Sequence, residues 1–120
     1  MNAAPDRLSE KARRRLTSLG QDDELLLSAI SLWELCKLAE KGRVTLFDDL
    51  EAWGRKAVDN GGIRVVPIDF DIAFKSTTLP SPFHSDPADQ IIVATARLHD
   101  ATILTKDRLL LKYPHVKSLW

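Results

Sequence analysis

The sequence predicts an α/β fold around a mainly parallel sheet, and three observations carry that prediction. Short runs rich in leucine or β-branched residues recur along the chain, at Glu24–Ile30, Ile63–Ile68 and Thr102–Thr105. Segments with helical spacing of apolar residues separate them, and strands alternating with helices of about ten residues favour crossover connections between parallel neighbours. The length of 120 residues with 44% apolar content fits one domain, 1–120, with its own core. Its 17 Lys+Arg against 17 Asp+Glu leave no net charge. Nucleic acid would therefore be met at a local site rather than by bulk attraction. One cysteine excludes an internal disulfide framework and a multi-cysteine zinc site, which suits a reducing cytosol. No apolar run nears the roughly 18–20 residues of a membrane span, and the polar start lacks a signal peptide's apolar core. A cytoplasmic domain with no membrane contact is expected.

Ser9, followed by Ala12, Leu16 and Leu19 at helical spacing and then Gly20, predicts a helix over 10–19. Arg13, Arg14 and Arg15 read as its solvated face, with a basic patch for RNA or a partner as the sharper alternative. Glu24–Ile30 reads as a buried strand. Ser31 then opens a second helix whose core stripe is Leu32, Leu35, Cys36 and Ala39, ending at Gly42. On that stripe Cys36 is expected to be a small buried hydrophobe rather than a nucleophile. Asp48–Asp59 is a third helix with Leu50, Trp53 and Ala57 inward, stopped by Gly61-Gly62. In the strand Ile63–Ile68, Pro67 marks the end or an edge. Asp69–Lys75 is a short helix and Ser76–Ser85 a loop. Asp86 caps the next helix with Pro87 at its first position, and Ile91, Ile92, Thr95 and Leu98 form its apolar side. After the strand Thr102–Thr105, Asp107 caps a helical turn, and Val116–Trp120 is a candidate fourth strand. Trp33, Trp53 and Trp120 read as core or interface anchors rather than base-stacking platforms.

Three acids make the candidate site. Glu34 is placed three residues into the helix that follows the first strand. Asp89 has the same depth in the helix opened by Asp86-Pro87, and Asp107 directly follows the strand Thr102–Thr105. In open parallel sheets, ligands bind outside the carboxyl ends of the strands, where such acids would gather. Capping explains each one alone: Ser31-Leu-Trp-Glu34 has the form of a capping box, Asp86 and Asp107 are ordinary caps, and Asp89 complements the helix dipole. Together they would repel one another unless a cation sat among them. Oxygen ligands select hard ions, Mg²⁺ or Mn²⁺, and such an ion suits phosphodiester hydrolysis. His84, two residues before Asp86, reads as a surface loop histidine or as a residue facing this site. No phosphate-binding glycine loop, Ser/His/Asp order or H-E-x-x-H signature occurs.

Four stretches in order, Ser28-Ala-Ile-Ser-Leu-Trp-Glu34, Lys41-Gly-Arg43, Phe83-His-Ser-Asp-Pro-Ala-Asp-Gln-Ile-Ile-Val-Ala-Thr-Ala96 and Leu104-Thr-Lys-Asp107, resemble the PIN-domain ribonucleases, and most of all the VapC-type toxins of toxin–antitoxin pairs. The resemblance implies a metal-dependent endoribonuclease that cuts single-stranded RNA, with Mg²⁺ or Mn²⁺ held by Glu34, Asp89 and Asp107. It implies support from Asp86 and from the hydroxyl of Thr105 beside the metal site. The implied partners are a small antitoxin whose tail crosses the active site, operator DNA bound only through that antitoxin, and a second copy in a homodimer. Arg43, Lys106 and Arg108, close to the acids in sequence, are candidate phosphate contacts or simple helix-end charges.

One departure from the resemblance bears on the site. PIN toxins begin with a hydrophobic strand of the form L-L-D-T-H-x-x-L-W, central in the sheet and carrying a fourth acid, ahead of the segment that matches Pro5-Asp-Arg-Leu-Ser-Glu10. This sequence starts at Met1-Asn-Ala-Ala, where the following helix would be ending. Either Met1 is an internal methionine or the chain is a degenerate, inactive binding module for antitoxin or RNA; the intact surroundings of the other acids favour the first. The sheet is then expected to show a gap or an exposed edge.

Overall fold

In the computed structural model, which describes residues 9–20, 23–42, 50–60 and 62–120, helices and short parallel strands alternate. Their order is α1 (Glu10–Thr17), β1 (Leu25–Ser28), α2 (Ala29–Glu40), α3 (Leu50–Asp59), β2 (Ile63–Val66), α4 (Phe70–Ser76), α5 (Pro87–Leu98), β3 (Ile103–Leu104), α6 (Arg108–Lys112) and β4 (Ser118–Leu119). Strand β1 pairs in parallel with β2, from Leu25 opposite Ile63 to Ser28 opposite Val66. An ion pair between Glu24 and Arg64 fastens the entry to that pair. Strand β2 stops just before Pro67, which has no N–H to give to a ladder. Strands β3 and β4 form a second parallel pair, Ile103 opposite Ser118 and Leu104 opposite Leu119.

The four strands do not make one continuous sheet. The two strand pairs are not hydrogen-bonded to each other. A slot of about 570 Å³ lies against both, lined by Leu25–Ser28 of β1, Ile103 and Leu104 of β3, Ile92 and Ala96 of α5, Leu16 of α1 and Leu19 just beyond it.

Helix α5 joins the two halves. Asp86 caps it, accepting from the N–H of Asp89, and Pro87 occupies the first turn. Val93, Ala94, Thr95 and Ala96 are four successive buried residues, so this helix is covered around most of its circumference rather than along one stripe. Val93 and Ala96 pack with Ile103, Leu110 and Tyr113, while Ala94 packs with Val66 and Ile72. Leu79 touches both clusters. The expected apolar side was therefore rotated: Leu98 is 44% exposed. Thr95 does lie inside, its hydroxyl donating to the Ile91 carbonyl at 2.7 Å.

Helix α2 departs further from expectation. Ser28, the last residue of β1, is its cap, accepting from the N–H of Ile30. Ser31 therefore lies inside the helix, and the capping box with Glu34 does not form. No residue of α2 is fully buried, and Cys36 is exposed rather than part of a core stripe. Trp33 and Trp53, 58% and 43% exposed, are not core residues either. The backbone of 43–49 and the side chains of Leu50 and Ala57 fall outside the described residues, and so does Arg43.

Ile72, 1% exposed on a helix capped by Asp69, anchors α4 against β2 and α5. On the same helix Phe74 is 60% exposed, its ring 4.6 Å from that of Phe70. Ile72→Ala is expected to cost about 2–5 kcal/mol of unfolding free energy. Phe74→Ala should stay within roughly 0.5 kcal/mol. Urea unfolding with an unchanged slope measures both, and equal losses would show that the burial pattern of α4 is wrong.

Candidate active site

The first turn of α5 is fixed by its cap. Asp86 Oδ1 accepts from the Asp89 N–H at 2.9 Å, which fixes the backbone of Asp89 on the third helical residue. The Asp89 carboxylate then meets His84: Asp89 Oδ2 lies 2.7 Å from His84 Nε2, and both side chains are largely buried, at 21% and 26% exposure. Because a carboxylate can only accept, the proton in this bond belongs to His84 Nε2. The His84 ring stacks on Phe83 with centroids 4.4 Å apart, and Phe83 meets the edge of Tyr113 at 4.7 Å. Tyr113 is buried, and its hydroxyl donates to the Pro80 carbonyl at 2.6 Å. Burial pushes its phenol above the ordinary tyrosine range, against the nearby Arg97 charge.

Glu34 faces this turn from α2, which packs against α5. Although it is exposed as a residue, partial burial raises its carboxyl pKa, and the charges of Asp86 and Asp89 push it the same way. The expectation that Glu34 and Asp89 share one depth in their helices does not hold. With Ser28 as cap, Glu34 sits in the second turn of α2, whereas Asp89 is in the first turn of α5. What joins them is the packing of the two helices.

Asp107 stays with its own helix. It caps α6, Oδ1 accepting from Leu109 N–H at 2.8 Å, and its own N–H donates to Thr105 Oγ1 at 3.0 Å. It is not among the acids that act on Glu34. Lys106 and Arg108 beside it are exposed. Among the described residues, no three His, Cys, Asp or Glu side chains are drawn together closely enough to form a ready cage for an ion. The donor set still fits a hard divalent cation, since it is made of carboxylate oxygens whose mutual repulsion such an ion relieves. An ion held by two carboxylates, with water on its other faces, is ordinary for Mg²⁺.

A sequence model of the PIN domain matches residues 3–116. The chain belongs to the PIN-domain family. This PIN domain is 38% identical over 118 residues to "Ribonuclease VapC22" of Mycobacterium tuberculosis (strain ATCC 25618 / H37Rv), a match covering 98% of this chain and 87% of that protein. It also superposes with a TM-score of 0.63 on a solved chain described as "Toxin-antitoxin complex from Klebsiella pneumoniae", covering 91% of this chain and 82% of that one at 22% identity. The second likeness shows the fold. PIN ribonucleases in general depend on a divalent metal, in keeping with the donor set. Among the described residues, no helix is long and apolar enough to cross a membrane.

Of the two sequence readings of His84, a surface loop histidine or a residue facing the site, the structure favours the second by its contact with Asp89. The available signal was its position two residues before the cap Asp86, from which a side chain can fold back onto the third helical residue.

The raised Glu34 pKa makes a prediction about the metal-free protein. A carboxyl whose folded pKa exceeds its unfolded value contributes stability that is fully present below the unfolded value and lost as pH rises through the folded one. Glu34→Gln keeps the neutral shape at every pH. Metal-free Glu34→Gln should therefore melt above the parent at neutral pH, with the difference vanishing in acid below the ordinary glutamate range. A pH series of thermal melts in chelator checks this, and a variant that melts lower at neutral pH would contradict it.

Proposed function

We infer that this PIN domain is a VapC-type toxin, an endoribonuclease that hydrolyses single-stranded RNA with the help of Mg²⁺ or Mn²⁺. The observation that carries the reading is the extended identity to a protein named as a VapC ribonuclease, together with acids at the start of α5 and on α2. In this reading Asp89 and Glu34 hold the ion, with Asp107 contributing from the start of α6. When bound, the ion supplies charge neutralisation at a phosphate oxygen and an acidified water. The chain's own part is positional. Asp86 holds the first turn of α5 in place through the Asp89 N–H. Thr105 holds the backbone at Asp107. Lys106, Arg108 and Arg43 offer positive charge to RNA phosphates, which an electrically neutral chain needs locally.

A small antitoxin protein is the partner that fits a VapC toxin, and the fold neighbour described as a toxin–antitoxin complex supports it. Its tail would cover the acids, operator DNA would be contacted only through it, and the toxin would act as a homodimer in the cytoplasm. A binding-only module is the second reading. Its supporting observation is that Asp107 takes no part in the charge cluster around Glu34.

The test is cleavage of a single-stranded RNA by the purified chain. Cleavage should require Mg²⁺ or Mn²⁺, stop on chelation and return on adding the ion. Removing an outer partner of a metal ligand costs about 10–100-fold, so Asp89→Asn, which removes a ligand charge, should cost at least about 100-fold. Metal-dependent cleavage that survives Asp89→Asn would move the active site elsewhere. No cleavage under either ion, with antitoxin or RNA still bound, would establish the binding module instead.

A further inference from the structure

We propose that His84 is a positioning residue for Asp89: its Nε2–H holds one carboxylate oxygen so that the other is presented for the divalent ion. The inference rests on the reading of Asp89 as an ion-holding acid and deepens it.

Three observations support it. The bond is short, 2.7 Å between His84 Nε2 and Asp89 Oδ2, and both side chains are mostly withdrawn from water. Surface ion pairs on flexible chains are worth little, whereas this contact joins two groups that are each fixed from behind. Asp89 is fixed by the Asp86 cap on its N–H. His84 is fixed by its stack on Phe83, which is braced on the buried Tyr113 and through it on the Pro80 carbonyl. The ring is thus mounted on the core cluster of Val93, Ile103, Leu110 and Tyr113, and it reaches the first turn of α5 from outside the helix. A carboxylate on the third residue of a helix ordinarily turns toward free backbone N–H groups of that turn. Here the N–H of Asp89 is already taken by Asp86, and Oδ2 is taken by His84. Oδ1 is the oxygen left for a further ligand.

Ligand carboxylates are commonly held by a hydrogen bond from outside the coordination shell, and losing such a partner typically costs 10–100-fold in metal affinity. His84 supplies that bond without adding a carboxylate to a region where Glu34 already responds to Asp86 and Asp89.

The test uses Mn²⁺ alone, titrated into the whole chain and read by electron paramagnetic resonance of the free ion. His84→Phe keeps an aromatic ring on Phe83 and removes the donor; His84→Gln restores an N–H donor of similar reach. His84→Phe should bind Mn²⁺ about 10–100-fold more weakly, and His84→Gln should recover most of that loss. In the metal-free protein, nitrogen NMR of the His84 ring should show the proton on Nε2, and Asp89→Asn should shift that signal. Unchanged Mn²⁺ affinity in His84→Phe overturns the proposal, provided that Asp89→Asn still abolishes binding. If Asp89→Asn also leaves affinity unchanged, the metal-holding reading falls with it. Failure of His84→Gln to recover binding, with ring nitrogen coupled to the bound Mn²⁺, overturns positioning in favour of direct ligation.

Discussion

The burial of α5 is the constraint on which the rest of this structure depends. Four successive residues, Val93 to Ala96, are covered by protein, and small side chains at three of them, Ala94, Thr95 and Ala96, let neighbouring elements approach closely. One side of the helix completes the cluster with β3, α6 and Tyr113; another completes the cluster with β2 and α4. Because the two strand pairs share no hydrogen bonds, the continuity that a single sheet would supply is supplied largely by this helix. Each buried aliphatic side chain is worth about 1.5–3 kcal/mol, so α5 binds the halves through apolar contact rather than through a ladder.

The same helix carries the candidate site. Its first turn is defined by Asp86 and Pro87, and that turn delivers Asp89 to a place where α2 brings Glu34. The buried stretch and the candidate site are therefore continuous in sequence, with Val93–Ala96 only one turn beyond Asp89. The cost is electrostatic: partial burial raises the Glu34 carboxyl pKa, and the charges of Asp86 and Asp89 push it the same way. In the proposed reading a divalent cation would relieve that repulsion, and a protein of zero net charge could then present an acidic pocket to an anionic polymer.

Much of this was legible in the residues. Asp86-Pro87 marked a helix start with little ambiguity, because proline at the first helical position and an aspartate before it each act through local geometry. The parallel α/β class followed from strand and helix alternation, and Pro67 marked the end of β2. Legibility failed where tertiary contact decides. Ser28 and Ser31 are both competent caps, and the choice of Ser28 was made by where β1 stops pairing with Val66. That shift of three residues places Glu34 in the second turn, while Cys36 and Trp33 are exposed. The burial of α5 on several sides likewise depends on two clusters meeting it at once, which a single-stripe reading of Ile91, Ile92, Thr95 and Leu98 does not anticipate. His84 was legible as a neighbour of the cap but not as a partner of Asp89, since its ring is aimed by Phe83 and Tyr113, the latter 29 positions along the chain.

The central claim is that the acids of α5 and α2 make one ion site. Anomalous scattering at the manganese edge, from crystals of the chain grown with Mn²⁺, tests it most directly. The account predicts a peak within bonding distance of the Asp89 carboxylate on the side facing Glu34, with His84 still hydrogen-bonded to Oδ2. A peak at other residues, or an ion bound with Asp89 turned away from it, would contradict the account.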